Sequence, residues 1–255
     1  MSKITIALLA LSFMSLAVVA TSAVAATDPR ISYVKQQLIS SGIDKAAVDK
    51  LFSDKRIKTF SFKSVSYKQP DWGAIERKLL GVILIQIGRE YIRANENIFE
   101  GAEKDFGVDK EVLAGIIGIE TSFGKNLGGY TTFNVLYSRV KQWSATKWKR
   151  QAAELVALSK YCLRANKDCF SIKGSYAGAI GLVQFIPSSL LAYGVDGDNN
   201  GIVDLSKASD AIPSAANFLK SHGWQKDKLA ALARYYGSPV GYPQIVLDIA
   251  SALKK

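Results

Sequence analysis

The run Leu113-Ala-Gly-Ile-Ile-Gly-Ile-Glu120-Thr-Ser-Phe-Gly124 decides how this chain is read. Its apolar residues predict a helix, and Leu113, Ile117 and Glu120 fall on one stripe of it, at i, i+4 and i+7. A carboxylate that closes an apolar stripe is costly unless it is used or paired. Burial disfavours its charged form and raises its pKa. A carboxylic acid that stays protonated near neutral pH is what a general acid needs in glycoside cleavage. The ordinary alternative is a surface or capping carboxylate. It is weakened by the apolar stripe before Glu120 and by Gly124 after it, because glycine lets a ligand approach the backbone closely.

Working outward, helical periodicity dominates. Apolar residues recur at three- and four-residue steps over 31–39 and 45–52. Residues 75–106 predict one long helix or two broken ones. Asp109 is positioned to cap the Glu120 helix, expected over 110–122. Further helices are expected over 132–140, 149–165, 187–193, 211–222, 228–236 and 244–253. Residues 171–184 read as irregular and Gly-rich, and 196–210 as a polar loop. Short extended pieces are expected near 61–67 and 202–205. No alternating pattern supports a large sheet, so the class is mainly α.

The first 25 residues read as a leader. Lys3 precedes an apolar stretch from Ile4 to Ala20, and Ala23-Val24-Ala25 fits a small-residue cleavage site. An uncleaved anchor is the rival reading, since the stretch falls only slightly short of a membrane span. No Cys lies near the cleavage site, which argues against a lipoprotein. Cleavage takes one lysine from a net charge of +11. A basic exported chain favours anionic partners: cell-wall polymer, membrane surface or stray nucleic acid. Charge alone does not choose among them. Export also permits a disulfide between Cys162 and Cys169, with two free thiols as the alternative. With one His and no further Cys, the pair does not read as a metal site.

Three more segments carry chemistry. Lys173-Gly-Ser-Tyr-Ala-Gly-Ala-Ile-Gly-Leu-Val-Gln-Phe-Ile-Pro-Ser-Ser189 is rich in small residues, and Ser175, Gln184 and Phe185 could line a groove. Tight helix packing explains the same composition. Asp196-Gly-Asp-Asn-Asn-Gly-Ile-Val-Asp204 matches the opening of a Ca²⁺ loop. Asp196, Asp198 and Asn200 supply oxygens at positions 1, 3 and 5, and Ile202 a carbonyl at position 7. Position 12 is Lys207, which cannot ligate; Asp210 or Asp204 could close the loop instead. Arg234-Tyr-Tyr-Gly-Ser-Pro-Val-Gly-Tyr242 offers tyrosines that could stack on sugars or simply fill a core.

In this order the segments resemble the lytic murein transglycosylases of the membrane-bound lytic transglycosylase B type, glycoside hydrolase family 103. The likeness covers residues 108–242. It rests on Gly118-Ile-Glu-Thr, on Gly174-Ser-Tyr-Ala-Gly-Ala-Ile-Gly with Gln184-Phe-Ile-Pro-Ser-Ser, and on Asp210-Ala-Ile-Pro-Ser-Ala-Ala-Asn-Phe-Leu-Lys-Ser-His-Gly-Trp224. The resemblance implies a mainly α, lysozyme-like (goose-type-like) core over 108–255, with a helical part over 26–107. It also implies a small subdomain with an EF-hand-like calcium loop at 196–210, closed by Asp210. Glu120 would be a lone catalytic acid and base. Ser175, Gln184, Phe185 and Tyr235 would contact the glycan. The implied reaction cleaves the bond between N-acetylmuramic acid and N-acetylglucosamine in peptidoglycan and leaves 1,6-anhydromuramoyl ends. The implied protein is a periplasmic monomer with a structural Ca²⁺, no organic cofactor and no nucleic-acid partner. Two departures stand out. The family's Arg-Tyr-Asn is Arg234-Tyr235-Tyr236 here, and its paired arginines have no clean match, with Lys147, Lys149 and Arg150 as candidates. A hydrolytic muramidase with a second carboxylate, or a non-catalytic wall-binding protein, are the alternatives.

Overall fold

The computed structural model describes residues 28–61, 71–237 and 240–255. The expected leader and most of the extended piece at 61–67 lie outside these residues. Aspartate caps begin the first three helices. Asp28, Asp44 and Asp71 each accept a backbone N–H at the start of α1 (Pro29–Ser40), α2 (Lys45–Phe52) and α3 (Trp72–Leu79). Then come α4 (Val82–Ala94), α5 (Glu96–Phe106) and α6 (Lys110–Thr121). The stretch expected as one or two helices is thus three, broken before Gly81 and at Asn95, and it starts earlier, at Trp72.

Helix α6 is the hub. Every residue from Val112 to Gly118 is buried, so the helix is apolar on all sides and must be wrapped. Gly115 permits its close crossing: a Cβ there would lie 3.3 Å from the carbonyl of Val246. Asp109 opens α6 through its backbone carbonyl, 3.0 Å from Val112 N. Its side chain does not cap, contrary to expectation. It takes the Lys228 ammonium at 2.9 Å instead.

Strand β1 (Tyr130–Thr131) leads into α7 (Thr132–Gln142), which packs on α8 (Trp148–Arg164). Strand β2 (Lys173–Gly174) pairs with β1, Tyr130 opposite Gly174 and Thr131 opposite Lys173. This is the one sheet among the described residues, and 202–205 forms no strand. The backbone groups there go to separate partners: the Asp204 N–H to Asp210, the Val203 carbonyl to the Tyr161 hydroxyl and the Leu205 carbonyl to Leu182 N–H. Helices α9 (Pro187–Tyr193), α10 (Ala208–Ser221), α11 (Lys228–Tyr236) and α12 (Tyr242–Lys254) complete the fold. α12 packs along α6 and α11, and α10 packs along α5. One continuous apolar core runs from Ile31 and Val34 of α1 to Ile249 and Leu253 of α12.

Candidate active site

Glu120 sits in the last turn of α6. The helix stops because Ser122 and Phe123 adopt φ of 50° and 58°, left-handed conformations that cost about 1 kcal/mol or more each for non-glycine residues. This reversal folds the Phe123 ring beneath Gly118, where a Cβ would come within 2.9 Å of it. Thr121 fastens the turn. Its hydroxyl lies 3.1 Å from the carbonyls of both Ile117 and Leu182, and it accepts Gly124 N–H at 3.1 Å. The end of α6 is thereby tied to segment 181–184, and Gln184 in that segment also has a positive φ, 47°.

The Glu120 carboxyl is half-buried and accepts one side-chain hydrogen bond, from the Tyr242 hydroxyl at 2.9 Å. Burial pushes its pKa up to about 7, and the Tyr242 bond opposes the rise because it favours the charged form. Among the described residues no second carboxylate acts on it. Tyr242 is fully buried at the start of α12. Burial, and then the charge of Glu120, raise both the Tyr242 and Tyr235 phenols well above their ordinary range, so both are neutral donors. Tyr242 stacks with two rings, Tyr236 at 4.7 Å and Tyr235 at 6.3 Å between centroids. Trp72 of α3 meets Tyr236 and Tyr242 edge-on.

The residues expected to meet a ligand are placed unevenly. The Tyr235 hydroxyl donates to Val183 O at 2.8 Å, which joins the tyrosine cluster to the 181–184 segment. Gln184 is partly exposed, and its amide donates to Gly181 O at 2.9 Å and reaches Leu127 O at 3.5 Å. The Ser175 hydroxyl accepts from Ala177 and Ala179 N–H at 3.3 and 3.2 Å, so it braces its own turn. Phe185 is corrected: its ring is 3% exposed and packs on Phe218 and Tyr235. Its alternation with Gln184 turns it inward, so it backs Tyr235 rather than presenting a face. Sequence reasoning missed Tyr242 as an individual. It stood at the end of the late tyrosine segment, seven residues after Tyr235, and that membership was the available signal. Trp72 had no signal, because nothing local joins it to α12.

The acidic loop gathers Asp196, Asp198 and Asp210, each with a carboxylate oxygen within 4.8 Å of the others. Asp210 is fully buried and accepts Gly197 N–H at 3.1 Å and Asp204 N–H at 2.6 Å. Asn200 Oδ1 accepts Ile202 N–H at 2.9 Å. Lys207 leans on Asp198 at 3.7 Å, and Asp204 faces away to Lys167 at 2.7 Å. Cys162 and Cys169 are disulfide-bonded, with Cα atoms 5.4 Å apart.

The Transglycosylase SLT domain matches residues 26–237. The chain belongs to the SLT transglycosylase family. A curated relative, membrane-bound lytic murein transglycosylase B of Escherichia coli (strain K12), is 32% identical over 179 residues, or 68% of this chain. The chain spans about half the length of that relative, the match covering 47% of it. The E. coli lytic transglycosylase Slt35, in complex with calcium, aligns with a TM-score of 0.78 at 21% identity, covering 90% of this chain and 94% of that one. The catenated SltB1 of Pseudomonas aeruginosa aligns with a TM-score of 0.79 at 23% identity, covering 89% and 98%. The fold of this SLT-family chain is therefore that of the helical, lysozyme-like lytic transglycosylases.

Proposed function

We propose that this SLT-family chain is a peptidoglycan lytic transglycosylase with Glu120 as its single acid and base. The observation that carries the reading is the Glu120 carboxyl, lifted to about 7 by burial and held by one neutral phenol. At neutral pH a large fraction of such a group is protonated and able to donate. Neutral Glu120 would protonate the glycosidic oxygen between N-acetylmuramic acid and N-acetylglucosamine. The Tyr242 hydroxyl would then steady the carboxylate that forms. With no second carboxylate at hand among the described residues, the 2-acetamido group of the muramoyl sugar would assist at C1. Ionised Glu120 would take the proton of the C6 hydroxyl as that oxygen closes on C1. The product is a 1,6-anhydromuramoyl end. Gln184 and Tyr235, both fixed to the 181–184 segment beside the Thr121 turn, are proposed glycan contacts, and Ser175 holds the loop that leads to them.

The acidic loop fits a hard, oxygen-seeking cation. Three carboxylates, the Asn200 amide oxygen and the Ile202 carbonyl form an all-oxygen set suited to Ca²⁺. Buried Asp210 is the closing ligand, while Asp204, committed to Lys167, is not. The ion would fix an EF-hand-like loop and supply no chemistry to the glycan. A periplasmic, monomeric enzyme released from its leader, with residues 108–255 as catalytic core, is the matching cellular picture. No helix of the described residues is long and apolar enough to cross a membrane.

Glu120→Gln tests the assignment. It should abolish lysis of purified sacculi while sedimentation with them persists. A wild-type protein that binds sacculi but never lyses them would make this a wall-binding protein instead.

A further inference from the structure

The hydrogen bond to Glu120 does not by itself account for where Tyr242 stands. Tyr242 is the first residue of α12, and Gly241 before it has a φ of 79°. The Trp72 ring lies directly on that glycine: a Cβ there would overlap its Cγ, Cδ1 and Nε1. The same ring stands edge-on to Tyr236 at 5.1 Å and to Tyr242 at 5.9 Å. Those two tyrosines stack at 4.7 Å, within 12° of parallel. One indole thus closes on the backbone that starts α12 and on both rings of the stack.

Trp72 is itself fixed. It is the first residue of α3, and the Asp71 carboxylate caps that helix by accepting Ala74 N–H at 2.9 Å. Helix α3 packs on α12 and on α4, which in turn packs on α6. Tyr236 ends α11 and stands where the family's Arg-Tyr-Asn carries its Asn. An amide there would offer Trp72 and Tyr242 no ring. Aromatic pairs hold preferred edge-on and stacked arrangements. The bond from Tyr242 to Glu120, by contrast, weakens steeply once its angle or length is lost. A phenol free to swing about its side-chain torsions would spend part of its time off the carboxyl.

We propose that Trp72 is a positioning residue: seated on Gly241 and against the Tyr236–Tyr242 stack, it holds the Tyr242 hydroxyl on the Glu120 carboxyl. The inference rests on the reading of Glu120 as the acid and deepens it. It gives α3 a part in the site, and it gives the departure at Tyr236 a purpose.

The pH–rate profile of sacculus lysis tests it in the wild type, Trp72→Ala, Tyr242→Phe and the double variant. Trp72→Ala should lower kcat about tenfold, with KM changed by no more than about twofold. It should also move the descending limb to higher pH, because a bond that favours ionised Glu120 is lost. Trp72→Phe keeps a ring and should restore most of both. In the Tyr242→Phe background Trp72→Ala should change nothing further. An unmoved limb in a folded Trp72→Ala protein, or effects that add in the double variant, would overturn the proposal. A limb moved to lower pH would also overturn it, by showing that Trp72 only keeps water from the acid. So would a raised KM at unchanged kcat, which would make Trp72 a glycan contact. Where Trp72→Ala does not fold, Trp72→Leu carries the same expectations. A wild type that lyses no sacculi would refute the enzyme reading instead. The positioning is then judged by carbon NMR of the Glu120 carboxyl. A titration midpoint raised in Trp72→Ala supports it, and an unmoved or lowered midpoint overturns it.

Discussion

At the scale of residues, Glu120 and Tyr242 act as a pair. The phenol donates to the carboxylate, so it favours the ionised form that burial opposes. Tyr242→Phe should therefore move the descending limb of the pH–rate profile to higher pH and lower turnover about tenfold to a hundredfold. An unmoved limb would show that the bond does not tune the acid. Burial also links Glu120 to stability. Its pKa is near 4.5 when unfolded and about 7 when folded. Between those values the native state binds more protons than the unfolded chain, so stability falls as pH rises through that window. The whole effect is about 3 kcal/mol at most, less for the exposed part of the group. Glu120→Gln should accordingly gain about 2 kcal/mol more in urea unfolding at pH 8 than at pH 4. Equal gains would mean that the carboxyl is not desolvated. Much of this was legible in the sequence. The apolar stripe announces a buried acid, since local periodicity fixes which face of α6 Glu120 occupies. Its partner was not legible, because Tyr242 is brought in by the packing of α12 on α6.

At the scale of elements, the turn after α6, the 181–184 segment and the acidic loop are where the backbone departs from helix. Gly128 shows why: with φ at 87° it lies so close to the Gly174 carbonyl that any Cβ would overlap it. That contact lets β2 lie against the chain entering β1. The glycines were visible, but the left-handed Ser122, Phe123 and Gln184 were not, because tertiary packing overrides their preferences. The break of the expected 75–106 helix at Gly81 and Asn95 was also hidden, since a mostly apolar period continues across it. In the acidic loop, the oxygen spacing was readable and the buried depth of Asp210 was not. If the loop holds Ca²⁺, an ion at a hundred times its Kd adds about 2.7 kcal/mol. The thermal midpoint should then rise by about 5–10 °C. Asp210→Asn should remove the calcium-dependent rise, and a wild-type midpoint indifferent to Ca²⁺ would contradict the metal reading.

At the scale of the whole molecule, one apolar core joins the helices, and α6 is wrapped by four of them. Helices α4, α10 and α12 hold its flanks, and α3 brings Trp72 to the tyrosines that frame Glu120. The mainly α class followed from periodicity, whereas the β1–β2 pairing did not, being too short to leave an alternating pattern. The net charge of +11 suits an acidic polymer, but the proposed chemistry rests on a lone carboxyl that would have to serve twice. The most direct test of that claim is mass analysis of sacculi digested in ¹⁸O-enriched water. The account predicts 1,6-anhydromuramoyl ends that carry no solvent oxygen. Reducing muramoyl ends labelled with ¹⁸O would contradict it, because water rather than the C6 hydroxyl would then have closed the reaction.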